Sequence, residues 1–504
     1  MPLFCTTSVG LNGIEGELVR VEVDLAQGLP GTTLIGLGDT AVQQAKDRVR
    51  AALVNSGETW PSRRITIALS PASLHKRGSA FDLPIAVAVL AAAGAVPLNS
   101  VDRGVWLGEL GLDGRVQAVR GVLPALLSAR ASGVKFAIVP MGNLAEASLV
   151  SGVTVLGAAS LRDVVRYLRG DADILTATGE TSQGYCAESP DMADVLGQPE
   201  ARAALELAAA GGHHVAMVGP PGAGKTMLAS RLPGILPPLT TEEALKVTAV
   251  HSVAGVLSSN MPLVTMPPFI DPHHTASDVA IIGGGSGVIR PGSISLAHRG
   301  VLFLDEAPEF KRKVLDCLRQ PMESGEVLIA RSTGVARYPA RFQLILASNP
   351  CACAAARDID CTCAAGARMR YSGRLSGPLM DRIDIRINLP ALDPVSMASA
   401  EPGEASAPIL ERVLQARDRA RRRWLGTTWT TNSEVPGSML RKTWRPSGEG
   451  ARLLDRAIRT GLLTGRGYDR VLRLSLTAAD LAERDVPCMS DIATALGMRS
   501  GAAA

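Results

Sequence analysis

HVAMVGPPGAGKT, residues 214–226, runs an apolar stretch directly into Gly219-x-x-x-x-Gly224-Lys225-Thr226, and MLASRL then continues at helical spacing. Strand, glycine-rich turn and helix in that order make a cradle for phosphate. Glycine leaves backbone N–H groups facing a ligand with no Cβ in the way, and the start of the helix adds partial positive charge. Gly219, Pro220, Pro221, Gly222, Ala223 and Gly224 would wrap the phosphates of ATP. Lys225 would reach the β- and γ-phosphates, and the Thr226 hydroxyl would ligate Mg²⁺. The bland alternative is an ordinary glycine-rich turn, which the flanking strand and helix argue against.

Two later stretches extend the pattern. GVLFLDE (300–306) is a buried-type strand ending in two carboxylates. Asp305 is suited to hold Mg²⁺ or its water, and Glu306 to orient and activate the attacking water. FQLILASN (342–349) is a third strand, with Asn349 at its carboxyl end. Ligands bind at the carboxyl ends of strands in open α/β sheets, so Asn349 is expected beside the γ-phosphate. An apolar run capped by Asp-Glu is common by itself; behind a phosphate loop it acquires meaning.

Around this unit the chain divides. Its 504 residues predict two to four domains. Residues 1–170 alternate strand-like and helix-like pieces: ELVRVEVDL (17–25), RITIALS (64–70), KFAIVP (135–140) and VTVLG (153–157) read as strands. A helix follows Asp39, with Val42, Ala45, Val49 and Leu53 on one face and Gly57 at its end. The polar stretch 171–190 reads as a linker, 191–390 as the α/β nucleotide unit, 391–408 as a second linker rich in Pro, Ala, Ser and Glu, and 409–504 as wholly helical.

Composition narrows the classes. The chain is 46% hydrophobic with a formal net charge of only +4, so a polyanion site would have to be a local patch or one multiplied by oligomerisation. The first residues, MPLFCTTSVGLNG, do not read as a signal peptide. The longest apolar run, 83–98, is too short for a membrane span and is broken by Gly94 and Pro97. The expectation is a cytoplasmic protein without a membrane partner, whose cysteines stay reduced.

GVLFLDEAPEFKRKVLDCLRQPMESGEV, PFIDPHHTASDVAIIGGG, RPGSISLAHRG and SGPLMDRIDI together resemble the magnesium-chelatase-like AAA+ ATPases, and within them the ComM/YifB branch. VEVDLAQGLPGTTLIGLGD and KRGSAFDLPIAVAVLAAAG fit the same branch, so the resemblance covers essentially the whole chain. It implies an α/β fold class with three parts: an N-terminal Lon-protease-like (ribosomal S5 domain 2-like) α+β domain, an AAA+ core and a C-terminal helical lid of magnesium-chelatase type. It also implies an ATP-driven homo-hexamer with each site between neighbouring subunits. Arg382 then matches the family's arginine finger, typically worth roughly 10³–10⁵ in rate; the alternative is a surface salt bridge. TGRGYDRVLRLS (464–475) resembles the sensor-2 segment, with Arg466 the first choice and Arg470 and Arg473 its rivals.

The N-terminal resemblance to Lon proteases lacks their chemistry. A serine nucleophile needs a lysine base within reach, but Ala80 falls at the serine position and Leu123 at the lysine position. Peptidase activity is not expected, and the domain reads as a docking module for a protein partner that the sequence does not identify.

Three stretches bear on what a motor would push. GGGSGVIRPGSISLAH (283–298) interrupts the core, and EVLIARSTGVARYPARF (326–342) reads as a hairpin turning at Ser332-Thr333-Gly334 with Arg331 and Arg337 near its tip. In ILERVLQARDRARRRWLG (409–426), an apolar stripe of Ile409, Val413, Ala416, Ala420 and Trp424 leaves Arg417, Arg419, Arg421, Arg422 and Arg423 mostly exposed. Arginines so placed would track a phosphate backbone; the alternative is a solvated surface. Resemblance to the ComM branch implies a motor on single-stranded or branched DNA that promotes branch migration. The competing readings are a chelatase motor that drives Mg²⁺ insertion into a porphyrin by a partner, and an unfoldase acting on protein.

Finally, Cys351, Cys353, Cys361 and Cys363 gather half of the chain's eight cysteines in the pattern Cys-x-Cys, seven residues, Cys-x-Cys. Four thiolates suit one tetrahedral Zn²⁺; buried thiols and a redox switch are the alternatives. His273 and His274 are adjacent, so on a regular strand or helix they would point apart, and no role is assigned to them.

Overall fold

The computed structural model describes residues 4–500 except 37, 73, 75, 77, 102–103, 172–175, 178–189, 259–261, 286–288, 332–333, 356–359, 392–402, 445 and 447. Most of both expected linkers, and the turn at Ser332-Thr333, therefore lie outside the described residues.

The nucleotide unit is built on a five-stranded sheet in the order Phe269–Ile270, Val301–Leu304, Gln343–Ser348, Val215–Val218, Ile385–Asn388. All neighbours are parallel. Strands buried on both faces read as continuous apolar runs, as VAMV and VLFL do. The period of two still sorts them. Val215, Met217, Val301, Phe303, Ile345 and Ala347 face one core, shared with the helix Pro199–Gly211 and the helices of residues 406–500. Ala216, Leu302, Leu304, Leu344 and Leu346 face the other, shared with the hairpin Glu326–Arg331/Gly334–Pro339. The helix Pro199–Gly211 lies over the first of these faces, and the helical tail packs against that helix and the edge strand Ile385–Asn388.

Residues 4–177 form an eight-stranded mixed sheet ordered Thr176–Ala177, Thr154–Ala158, Phe136–Pro140, Val105–Trp106, Phe4–Asn12, Glu15–Ala26, Arg64–Ser70, Gly31–Ile35. Asp39 caps the helix Thr40–Asn55, its carboxylate accepting from the Val42 N–H at 3.0 Å. Two features differ from the sequence reading. Phe4–Asn12 is a central strand, paired with Glu15–Ala26 along its full length. Thr176–Ala177 adds an edge strand inside the stretch read as a linker. This sheet abuts the nucleotide unit: Ser252, on the helix Thr241–Ala254, donates to buried Glu146 of the N-terminal sheet unit.

The basic helix departs further from expectation. Ser406–Arg423 buries Ile409, Val413, Ala416 and Ala420, with Trp424 buried just beyond, but most of its arginines are engaged internally. Arg417 donates twice to the Ala209 carbonyl, at 2.6 and 2.9 Å, closing the last turn of the helix Pro199–Gly211. Arg423 pairs with buried Asp480 and stacks over Trp444 at 5.1 Å. Arg419 faces Glu483 and Asp485, and Arg422 pairs with Asp418. Aliphatic spacing identified the buried stripe; it could not show that carbonyls and carboxylates distant in sequence meet the arginines. The hairpin differs too. Arg331 stands at its tip opposite Gly334, whereas Arg337 sits lower, opposite Leu328, and pairs with Glu326 at 3.1 Å.

Among the described residues no helix is long and apolar enough to cross a membrane.

Candidate nucleotide site

The parallel sheet brings three strand ends to one edge. Val218 pairs with Ser348, and Leu304 with Leu346, so the phosphate loop, Asn349 and Asp305 leave the sheet side by side. The loop itself turns through Gly222 (φ +76°) and Gly224 (φ +79°), left-handed conformations in which a Cβ would be strained. Gly224 caps the helix Lys225–Arg231.

The side chains then meet. Lys225 Nζ donates to the Gly219 carbonyl at 2.7 Å, the Pro220 carbonyl at 2.9 Å and Asn349 Oδ1 at 3.0 Å. Burial lowers the Lys225 pKa, against the opposing field of Asp305 and Glu306. A buried ammonium that borrows neutral oxygens is a cation suited to phosphate. Thr226 Oγ1 donates to Asp305 Oδ2 at 2.7 Å, so hydroxyl and carboxylate stand together where a Mg²⁺ site needs hard oxygen ligands. The residues present fit MgATP.

Glu306 is exposed and holds a left-handed backbone, φ +49°. Its carboxylate lies 3.3 Å from His274 Nδ1. The rings of His273 and His274 are 4.2 Å apart; this segment is neither strand nor helix, so the regular geometry that would turn them apart does not apply here. His274 thus joins the site that sequence reasoning left it out of. Two more residues were missed. Gln198 donates from Nε2 to the Ala223 carbonyl at 2.6 Å and bears on the loop from behind. The Tyr371 hydroxyl is hydrogen-bonded by the Asn349 backbone N–H. Only a Gln ahead of Pro199 signalled the first, and nothing in the sequence signalled the second.

Arg382 and Arg470 are at the other end. The chain enters the strand Ile385–Asn388 where Ile385 pairs with Val215, the amino end of the sheet. Arg382, just ahead, is separated from the phosphate loop by the length of the strands, about 13 Å. It donates to the Pro378 carbonyl at 2.6 Å and pairs with Glu323, which is largely exposed. Arg470 reaches the same end, pairing with fully buried Asp384 at 2.7 Å. Asp384 also accepts from His213, and its carboxyl is held well below the usual range by Arg470 and the histidines despite burial. Arg473 donates to the Val435 carbonyl at 2.8 Å. Arg466, one turn before Arg470 on the helix Gly465–Leu481, is exposed. Of the predicted residues, the structure brings together Lys225, Thr226, Asp305 and Asn349, with Glu306 alongside, and sets Arg382 apart from them; among the described residues, Arg466 forms no hydrogen bond or ion pair with any of them.

The sulfur atoms of Cys351, Cys353, Cys361 and Cys363 all lie within 4.8 Å of one another, just past Asn349. In the N-terminal sheet unit, Leu123 is buried in the helix Val122–Ala131, and Ser79 donates to Glu109.

Comparison with known proteins agrees along the whole chain. Residues 21–143 match the family described as Subunit ChlI of Mg-chelatase, 191–397 match Magnesium chelatase, subunit ChlI, and 403–499 match Magnesium chelatase, subunit ChlI C-terminal. An uncharacterised protein of Mycobacterium tuberculosis is 50% identical over 494 residues, covering 98% of this chain and 97% of its own. Competence protein ComM of Haemophilus influenzae is 40% identical, covering 97% and 96%. YifB of Escherichia coli, also uncharacterised, is 39% identical, covering 97% and 95%. With the phosphate loop, its carboxylates and these full-length matches together, the chain belongs to the ComM/YifB family of magnesium-chelatase-like proteins.

Proposed function

We propose that this protein is a ring-forming ATPase of the AAA+ class that couples ATP hydrolysis to translocation or remodelling of DNA, most specifically branch migration during recombination of incoming DNA. The observation that carries the ring is the division of the site: Lys225, Thr226, Asp305 and Asn349 stand at the carboxyl edge of the sheet, and Arg382 with Asp384 and Arg470 at the amino edge. Neither set reaches the other within a chain. A neighbour's Arg382 would leave Glu323 for the phosphates, a guanidinium exchanging one anion for another. A hexamer is the expected closed form.

Within one protomer the roles follow from position. Lys225 neutralises phosphate charge, Asn349 holds Lys225 and faces the terminal phosphate, and Glu306 takes the proton of the attacking water while His274 orients it. Mg²⁺ held between Thr226 and Asp305 would supply further neutralisation of the phosphates. The N-terminal sheet unit serves as the Lon-like docking module, and the tail as the helical lid.

The DNA reading is supported by full-length similarity to a protein named for competence and by two exposed arginines: Arg290, on the short strand Arg290–Pro291 that pairs with Gly283–Gly284, and Arg331, at the tip of the hairpin beside it. The magnesium-chelatase family matches favour the alternative, a motor that remodels a protein partner. ATP turnover measured with and without single-stranded and branched DNA separates the two. Stimulation that falls steeply with salt supports the DNA motor; unchanged turnover at low salt removes it.

A further inference from the structure

Cys351, Cys353, Cys361 and Cys363 are not core thiols. Only Cys351 is buried; Cys353 is exposed, and the other two are intermediate. Thiols that merely fill apolar space have no reason to converge at a partly open surface. These do converge, with Sγ separations of 3.1 Å for Cys351–Cys353 and 3.4 Å for both Cys351–Cys361 and Cys353–Cys361.

A turn explains how. Cys351–Cys353 sits in a tight turn, the Ala354 N–H donating to the Cys351 carbonyl at 3.2 Å, and this turn brings two sulfurs two residues apart together. Cys361 and Cys363 meet them from the other side of the cluster. Zn–S bonds of about 2.3 Å make a tetrahedron whose sulfurs are about 3.8 Å apart. That edge fits a set whose members all lie within 4.8 Å. A disulfide needs its sulfurs at about 2.05 Å, and an iron–sulfur cluster needs them farther apart, because the cluster itself must fit between them. The backbone completes the pattern. Ala354 is left-handed, φ +50°, and the N–H groups of Cys353 and Ala355 hydrogen-bond the sulfurs, Cys353 to Cys351 and Cys363, Ala355 to Cys351 and Cys353. Donors aimed at thiolates are the outer-shell support a tetrathiolate requires.

We propose that these four cysteines hold one structural Zn²⁺ as a tetrathiolate that clasps the chain between Asn349 and the helix Ala365–Ser372. The described part of this stretch buries little apolar surface, so it has no core of its own to fix it. Tying its ends returns the chain to Asn349, where Tyr371 hydrogen-bonds the Asn349 N–H. Arg374, one turn on, then donates to Glu309 at 2.7 Å, just beyond Glu306. The metal site stands independently of the nucleotide reading; its consequence for Asn349 rests on that reading.

The test is metal analysis of the full-length chain, purified without an affinity tag that binds metal and without added zinc. About one zinc per chain is expected. Cys353→Ser and Cys361→Ser should each lose most of it, while Lys225→Ala should keep it, separating this site from the phosphate loop. Where a cysteine variant fails to fold, Co²⁺ exchanged into the wild-type chain serves instead; the visible bands and thiolate charge transfer of a tetrahedral CoS₄ centre are expected. Zinc far below one per chain with four freely titrating thiols, iron in its place, or an octahedral Co²⁺ spectrum would each overturn the proposal.

Discussion

Lys225 illustrates how much one side chain is asked to do in this loop. Among the described residues its ammonium is held by two carbonyls and an amide oxygen, and burial lowers its pKa. Lys225→Ala should abolish ATP binding measured by titration calorimetry; unchanged affinity would remove the phosphate-loop reading. Glu306→Gln keeps the size and loses the base. It should bind ATP normally and lower kcat by about 10²–10⁴, with His274→Ala showing a smaller loss of kcat at unchanged affinity. Two other histidines bear on stability. His214 Nδ1 accepts from the Leu344 N–H, and His298 Nδ1 from the Arg341 N–H, both at 3.0 Å. Burial pushes their pKa values down to about 4 and about 3. The unfolded chain therefore binds these protons first, and stability falls as pH drops below about 6.5. Thermal melts should show this decline between pH 6.5 and 4. His298→Gln, which keeps an acceptor without a titrating nitrogen, should flatten part of it.

At the scale of elements, what was legible depended on distance along the chain. The phosphate loop is written within one strand, turn and helix, and the Asp39 cap within one helical turn, so local chemistry was enough. Phe4–Asn12 was passed over because its alternation hides behind hydroxyls: Thr6 and Ser8 are fully buried, donating to the Pro84 and Trp106 carbonyls at 3.0 and 2.9 Å. A buried threonine looks like a surface threonine until its partner is known. The arginines of Ser406–Arg423 misled for the same reason, since Arg417 finds its carbonyl 208 residues away. The polar seam between sheet and tail shows the physics most clearly. His213 Nε2 lies 2.8 Å from Thr477 Oγ1, Asn432 donates to Thr477 and Asp480, and Asp384 joins His213 to Arg470. Each member satisfies the others, so breaking one leaves a buried charge unpaired. Asp384→Ala should cost about 3–5 kcal/mol in urea unfolding. A cost under about 1 kcal/mol would mean that the seam is far more hydrated than its burial implies.

For the whole molecule, the question is whether one chain holds a complete catalytic site. The strands decide the geometry: they run parallel, so everything at their carboxyl ends is separated from everything at their amino ends by the length of the strands. Arg382, buried against Glu323, lies about a strand's length from Lys225 of its own chain and would serve a neighbour's site if subunits stack head to tail around a ring. This gives a quantitative expectation. Lys225→Ala and Arg382→Ala chains should each be inactive alone. Mixed in equal amounts, an active site forms wherever an Arg382→Ala chain, with its phosphate loop intact, abuts a Lys225→Ala chain, with its arginine intact. Random neighbours meet that condition at about one interface in four, so turnover should recover to about a quarter of the wild-type rate whatever the number of subunits. An arginine acting on its own chain predicts no recovery at any ratio. Neutralising Arg290 and Arg331 should leave this complementation intact and reduce only the DNA-stimulated part of turnover, with the salt dependence of DNA binding shallower by about one unit of slope per arginine. A ring that complements but ignores DNA would retain the shared site and move the substrate to protein.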